Sequence, residues 1–202
     1  MKHLDFVPKA KKTLGSKITL ENGEVLIDGV ASWWTSCHGY NHPDIIKAMQ
    51  KQLNDMPHIM FGGFTHKPAE DLASNLKTLL PSIYNHYFFV DSGSVAVEVS
   101  MKMAIQYWVN KNNKNKRKFL SFKNGYHGDT LGAMSICDPL EGMHSLFKDY
   151  VPEQINTDIP INKAEKENFK NIVFDNKEEL AAIIIEPLVQ CAGGFKFHNV
   201  IP

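Results

Sequence analysis

Three small polar residues, Ser92-Gly93-Ser94, stand where an apolar run ends and a helical pattern begins in "VDSGSVAVEVSMKMAIQYW", residues 90–108. The first N–H groups of a helix have no intrahelical acceptor, and they sit at the positive end of the helix dipole. Such a junction suits an anion, above all a phosphate. Gly93 lets the backbone come close to a ligand, and Ser92 and Ser94 add hydroxyls. A serine here also serves as an ordinary helix cap, so the three residues alone leave both roles open. The pattern matches neither G-x-G-x-x-G nor G-x-x-x-x-G-K-[ST], and the dinucleotide and P-loop readings lack their motif. A second stretch, "FKNGYHGDTLGAMSICDP" (Phe122 to Pro139), sets Tyr126 and His127 between Gly125 and Gly128, with Asp129 and Thr130 directly after. An aromatic followed by an imidazole suits stacking on a planar heteroaromatic ligand; the same residues also read as a turn with Asp129 as a helix cap.

Other reactive side chains are less organised. Glu186 ends "AAIIIEP" and either faces a site or stays structural beside Pro187. His38 and His42 are spaced i, i+4, but no third ligand is apparent, and no metal site is expected. The three cysteines, Cys37, Cys137 and Cys191, form no C-x-x-C pair. Neither a zinc site nor a disulfide framework is indicated, and a reducing, cytoplasmic setting fits.

These groups need a scaffold. A chain of 202 residues can bury one substantial core or two small ones. With 22 basic and 22 acidic residues it carries no global field that would favour nucleic acid or an anionic membrane. The basic run "NKNNKNKRK" has no interleaved aromatics and reads as a solvated loop. The start, "MKHLDFVPKAKK", lacks the apolar segment of a secretory leader, and no apolar run is long enough to span a membrane.

"KITLENGEVLIDG" alternates around Asn22-Gly23 and predicts a hairpin. "HPDIIKAMQKQLNDM" predicts a helix with Pro43 in its first turn and Ile45, Ile46, Met49 and Leu53 on one face. A second helix is expected from Pro68, with Leu72, Leu76, Leu79 and Leu80 as its stripe. From Tyr87 onwards the pattern is strand, helix, strand. "YFFV", "KFLSF" and "AAIIIEP" predict buried strands, and Val95 to Val109 a helix. Continuous apolar strands of this kind belong to a parallel sheet in an α/β domain. The expected organisation is an N-terminal segment over 1–80, with hairpin and helices, followed by a large domain over 81–202. A strand ending at Pro187 and followed by "VQCAGGFKFHNVIP" should lead on to a further crossover helix that these residues do not reach, so the sheet is expected to lack strands.

Five stretches together resemble the class III aminotransferases, pyridoxal-phosphate enzymes of fold type I. They are "DGVASWWTSCHGYNHP", "MFGGFTHKPAEDLA", "DSGSVAVEVSMKMAIQYW", "NGYHGDTLGAMSICDP" and "IIIEPLVQ". The similarity runs from about Thr19 to Gly194, and it is greatest to the branch that serves biotin biosynthesis. The resemblance implies pyridoxal 5'-phosphate as cofactor, with Gly93 and Ser94 binding its phosphate. It implies that Tyr126 lies close to cofactor and substrate, and that Trp33 lines the substrate pocket; Trp34, taken by itself, is expected to pack in the core. It implies S-adenosylmethionine and 8-amino-7-oxononanoate as the substrates of the intact enzyme. The "MFGGFTH" segment would lie near the interface of a homodimer.

Three departures qualify the match. No residue corresponds to the family's early His-Pro-Tyr type segment, and Cys191 stands where relatives carry glycine. No lysine of the chain matches the one that forms the Schiff base, and the Asp-Glu segment facing the pyridine nitrogen has no counterpart either. The expectation is therefore the N-terminal portion of such an enzyme, a truncated α/β large domain inactive alone, or active with a complementing C-terminal chain. The alternatives are a portion of an ornithine or 4-aminobutyrate aminotransferase, a non-catalytic remnant, and a nucleotide-binding domain. "SWWTSCHGYNHP" argues against the first of these, as does Ala192, which stands where those enzymes carry glutamate.

Overall fold

Asn22 and Gly23 turn the chain between two strands in the way their types predict. Asn22 Oδ1 accepts from the Glu24 N–H at 3.0 Å, and Gly23 takes φ +90°. The computed structural model describes residues 5–140, 145–147 and 149–198. The hairpin is part of a three-stranded antiparallel meander, β1 (Ala10–Leu14), β2 (Lys17–Leu20) and β3 (Val25–Ile27). β2 and β3 pair Lys17 with Ile27 and Thr19 with Val25, and a register shift marks β1 between Ala10 and Lys12. Two helices follow, α1 (Pro43–Asp55) and α2 (Lys67–Leu79). Pro43 opens α1 as expected, and the His66 ring caps α2 by accepting from the Ala69 N–H. The expected stripe of α1 exists, but Ile45, Ile46, Met49 and Leu53 are all exposed.

Between meander and helices the backbone does something unusual for L-residues. Ala31, Ser32, Trp33 and Trp34 all have positive φ, 48°, 48°, 53° and 68°. Four consecutive left-handed residues without a glycine cost about 1–2 kcal/mol each, so hydrogen bonds in and around the turn must offset that cost.

The chain divides into two compact units, Met1–Asn85 and His86–Pro202. The second contains α3 (Gly93–Asn110), β4 (Lys118–Phe122), α4 (Leu131–Ser135), β5 (Ile155–Thr157), α5 (Lys163–Asp175) and β6 (Leu180–Ile183). β4 is the middle of a parallel sheet ordered β5-β4-β6, with Leu120 opposite both Ile155 and Ile183. This is the parallel α/β sheet expected from the apolar runs. Leu120, Phe122 and Leu180 form its core, and Ile155, Ile159, Phe169, Ile172, Val173 and Ile185 pack on them. Phe169 of α5 stacks on Phe122 with ring centroids 5.8 Å apart. α5 starts with a capping box in which Asn162 and Glu165 each accept from the other's backbone N–H. α3 is tied to β6 by Trp108, whose indole N–H donates to the Ala181 carbonyl at 2.8 Å.

One expected element is corrected. Tyr87–Val90 is no strand, because among the described residues no neighbouring strand completes a ladder with it. Among the described residues the stretch after Pro187 is not helical. It turns back on itself as a two-stranded antiparallel hairpin, β7 (Val189–Gln190) and β8 (Lys196–Phe197), with Leu188, Phe195 and Gly194 at positive φ. The basic run forms the expected loop before β4, although Lys116 lies 4.3 Å over the Trp108 ring and Lys118 pairs with Glu179 at 3.1 Å.

Candidate functional site

Ser92 caps α3: its hydroxyl accepts from the Val95 N–H at 3.2 Å, in extended backbone with φ −155°. The cap reading is thus correct for Ser92 and leaves the anion role to its neighbours. The N–H groups of Gly93 and Ser94 have no carbonyl four residues back within the helix. A Cβ built on Gly93 meets nothing within 4 Å, so space lies open at the helix start.

Ser94 is engaged sideways. Its Oγ accepts from the Asp129 N–H at 3.0 Å, which fastens the loop after β4 to the first turn of α3. One turn later, Glu98 Oε1 accepts from the Gly132 and Ala133 N–H groups at 2.7 and 3.3 Å and caps α4 from outside. Two glycines permit this approach. A Cβ on Gly128, at φ +131°, would fall 2.3 Å from Ser94 Oγ, and one on Gly132 would fall 2.3 Å from Glu98 Oε2. The structure therefore brings Gly93, Ser94 and the Tyr126 loop together.

The other side of that loop is held by the hairpin. Glu186 accepts from the Tyr126 N–H through one oxygen and from the Cys191 N–H through the other, both at 2.9 Å. Gln190 donates to the Lys123 carbonyl at 2.6 Å, and Lys196 donates to Asn124 Oδ1. Gly193 lies so close that a Cβ would come 2.2 Å from the Asn124 carbonyl oxygen. Glu186 thus takes the structural role left open for it, and the residue it positions is Tyr126.

The loop's titratable groups are shifted by their surroundings. Burial, helped by a hydrogen bond to Asp129, pushes the Tyr126 hydroxyl up to about 12, so it keeps its proton at neutral pH. Burial holds His127 below the usual imidazole range, against the opposing pull of the Glu186 charge. Burial also raises the Cys137 thiol, which donates to the Ala133 carbonyl and accepts from the His127 N–H, both at 3.2 Å. Both shifts favour the uncharged forms, and the thiol's two hydrogen bonds tie the loop to α4. Trp33 belongs to the first unit, where it is 82% exposed, and Trp34, expected in the core, is exposed there as well.

A sequence reading missed Glu98, although it follows Ser94 by four residues and so shares its helix face. It also missed the hairpin staples, whose partners are 60 to 72 residues apart.

The aminotransferase class-III family model matches residues 2–200. The chain belongs to that family. Among curated relatives, the adenosylmethionine-8-amino-7-oxononanoate aminotransferase of Corynebacterium glutamicum is 46% identical over 194 residues. That match covers 94% of this chain and 46% of the relative. The enzyme of the same name from Buchnera aphidicola subsp. Baizongia pistaciae is 43% identical over 196 residues, with the same coverage. Among solved structures, the Methanocaldococcus jannaschii enzyme of that name superposes with a TM-score of 0.87 at 27% identity, over 96% of this chain and 44% of that one. An amine transaminase from an uncultivated Pseudomonas species, in its PLP-bound form, gives 0.82 at 28%, over 95% and 46%. The chain thus spans about half the length of the curated relatives it matches, and its α/β fold is that of the fold type I transaminases.

Proposed function

We propose that this chain carries the phosphate-binding side and part of the substrate-binding side of an aminotransferase of biotin biosynthesis. The reaction moves an amino group from S-adenosylmethionine to 8-amino-7-oxononanoate with pyridoxal phosphate as cofactor. The observation that carries this reading is the 46% identity to the Corynebacterium glutamicum relative over 94% of the chain. The fold does not discriminate, since an amine transaminase superposes almost as well.

The residues present fit the cofactor's phosphate. Open space fronts Gly93, two first-turn N–H groups point out of α3, and the Ser94 hydroxyl, having accepted from Asp129, keeps its own proton to donate. Gly93 and Ser94 would hold the phosphate, and Tyr126 would flank the ring. When bound, pyridoxal phosphate supplies an electron-withdrawing ring that takes up charge from the amine's carbon. The chain's own part is to bind and orient. Tyr126 offers a hydroxyl that stays protonated, and Trp33 supplies an apolar wall suited to the long aliphatic chain of 8-amino-7-oxononanoate.

No lysine of these 202 residues is assigned the Schiff-base role. Lys123 is paired with Asp158 at 2.7 Å and Lys196 with Asn124. We place that lysine in the part of the enzyme that this chain does not span, within a cytoplasmic homodimer or a complementing pair of chains. The test is a titration of the purified chain with pyridoxal phosphate and, separately, with pyridoxal. Binding at least tenfold tighter with the phosphate supports the reading, and equal binding contradicts it.

A further inference from the structure

We propose that Asp28 and Tyr40 are positioning residues for Trp33: together they hold the Ala31–Trp34 turn in its left-handed form and so fix how the Trp33 ring is presented. The purpose of this clamp rests on the reading of Trp33 as a wall of the substrate pocket; its geometry stands apart from that reading.

The residue types do not favour the turn, although backbone bonds close it locally, from the Trp34 N–H to the Val30 carbonyl at 3.0 Å and from the Ser36 N–H to the Ala31 carbonyl at 2.9 Å. None of its four residues is Gly, Asn or Asp, the types that visit positive φ at least cost. Trp33 and Trp34 are 82% and 59% exposed, so burial of their rings does not hold the backbone. Polar bonds do. Asp28 Oδ1 accepts from the Val30 N–H at 3.0 Å, and Oδ2 accepts from the Ser32 N–H at 2.8 Å and from the Tyr40 hydroxyl at 2.5 Å. The Ser32 and Tyr40 hydroxyls are themselves in hydrogen-bond contact, and Thr35 Oγ1 donates to the Ser32 carbonyl.

One carboxylate therefore gathers the start of the turn and a residue beyond its end. That residue is anchored in its own right. The Tyr40 N–H donates to the Gly15 carbonyl at 2.8 Å, and its carbonyl accepts from the Gly15 N–H at 3.0 Å. Gly39 approaches the same corner so closely that a Cβ would fall 3.3 Å from Gly15 Cα. Support thus runs from the β1–β2 corner through Tyr40 to Asp28, and from Asp28 into the turn that carries the indole.

The experiment labels the chain with 5-fluorotryptophan and follows its three tryptophans, Trp33, Trp34 and Trp108, by fluorine NMR. Single Trp→Phe variants assign the resonances, and Trp108, anchored to Ala181 in the other unit, reports that this unit stays folded. Tyr40→Phe is expected to shift or broaden the Trp33 and Trp34 resonances while Trp108 stays in place. Adding Ala31→Gly and Ser32→Gly to that variant should restore them, because glycine adopts positive φ without the clamp. In the parent chain the same glycine pair should leave the resonances in place and raise the melting midpoint by roughly 2–5 °C.

A Trp33 resonance indifferent to Tyr40→Phe overturns the proposal. So does a melting midpoint lowered by the glycine pair, a result that is readable even if Tyr40→Phe does not fold. The pocket reading is tested separately by adding 8-amino-7-oxononanoate. A Trp33 resonance that ignores this compound overturns the substrate role and leaves the clamp standing.

Discussion

Gly93 and His127 show how differently single residues of one site are constrained. The space around a Gly93 Cβ is open, so Gly93→Leu should leave the melting midpoint nearly unchanged. The same bulk would stand where we place the phosphate. Affinity for pyridoxal phosphate, followed by absorbance, should fall at least tenfold, or about 1.4 kcal/mol; undiminished affinity would remove the assignment. His127 is constrained by charge instead. Its folded pKa is held below the usual 6.5 by burial, so as the pH drops below that value the unfolded chain takes up a proton that the folded chain refuses. The stability linked to the neutral ring is complete above 6.5 and is lost as the pH falls through the folded value. Urea midpoints measured between pH 8 and pH 5 should decline for the parent, and less steeply for His127→Asn. An equal decline in both would assign the acid sensitivity elsewhere.

At the scale of elements, the loop after β4 is gripped by α3 on one side and by the β7–β8 hairpin on the other. Gly128→Ala should therefore behave unlike any change at Gly93. Its Cβ would meet Ser94 Oγ at 2.3 Å and Ser94 Cα at 2.9 Å, at a φ of +131°. Overpacking and backbone strain together should cost about 2–4 kcal/mol in urea unfolding. Ser94→Ala should not rescue it, because the clash includes Ser94 Cα and Cβ; a rescue would show that the loop moves freely. The elements themselves were largely legible. The Asn22-Gly23 hairpin, the faces of α1 and α2, the body of α3 and the apolar strands β4 and β6 follow from local periodicity. Tyr87–Val90 misled because an apolar run makes a strand only where a neighbour completes its hydrogen bonds. The grips on the loop were not legible. Glu98 and Gly132 are 34 residues apart, Glu186 and Tyr126 60. The left-handed turn before α1 was hidden for a different reason: none of its four residue types favours positive φ, and Asp28 and Tyr40 support it from close by on either side.

As a whole molecule, the chain displays much apolar surface, including Val25, Leu26 and Ile27 of β3 and the stripe of α1. Among the described residues β6 pairs on one side only, which leaves a strand edge open to pairing with another chain. The purified 202-residue chain should thus tend to associate. With pyridoxal phosphate and borohydride it should yield no lysine trapped at one defined site, and it should move no amino group from S-adenosylmethionine. A stoichiometric trapped lysine, with transfer, would show that the reactive amine lies within these residues. The close approaches at the site also bear on how its sequence can vary. Positions 94 and 128, 98 and 132, and 124 and 193 are three interlocked pairs, each with a glycine against a partner that fills the missing side chain's place. At Gly128 and Gly193 the obstruction includes main-chain atoms, Ser94 Cα and the Asn124 carbonyl, so no exchange of the partner makes room for a side chain; at Gly132 it is the Glu98 carboxylate alone, and a shorter residue at 98 would make room. A library built on this scaffold therefore has to keep Gly128 and Gly193 fixed and to vary 98 and 132 together.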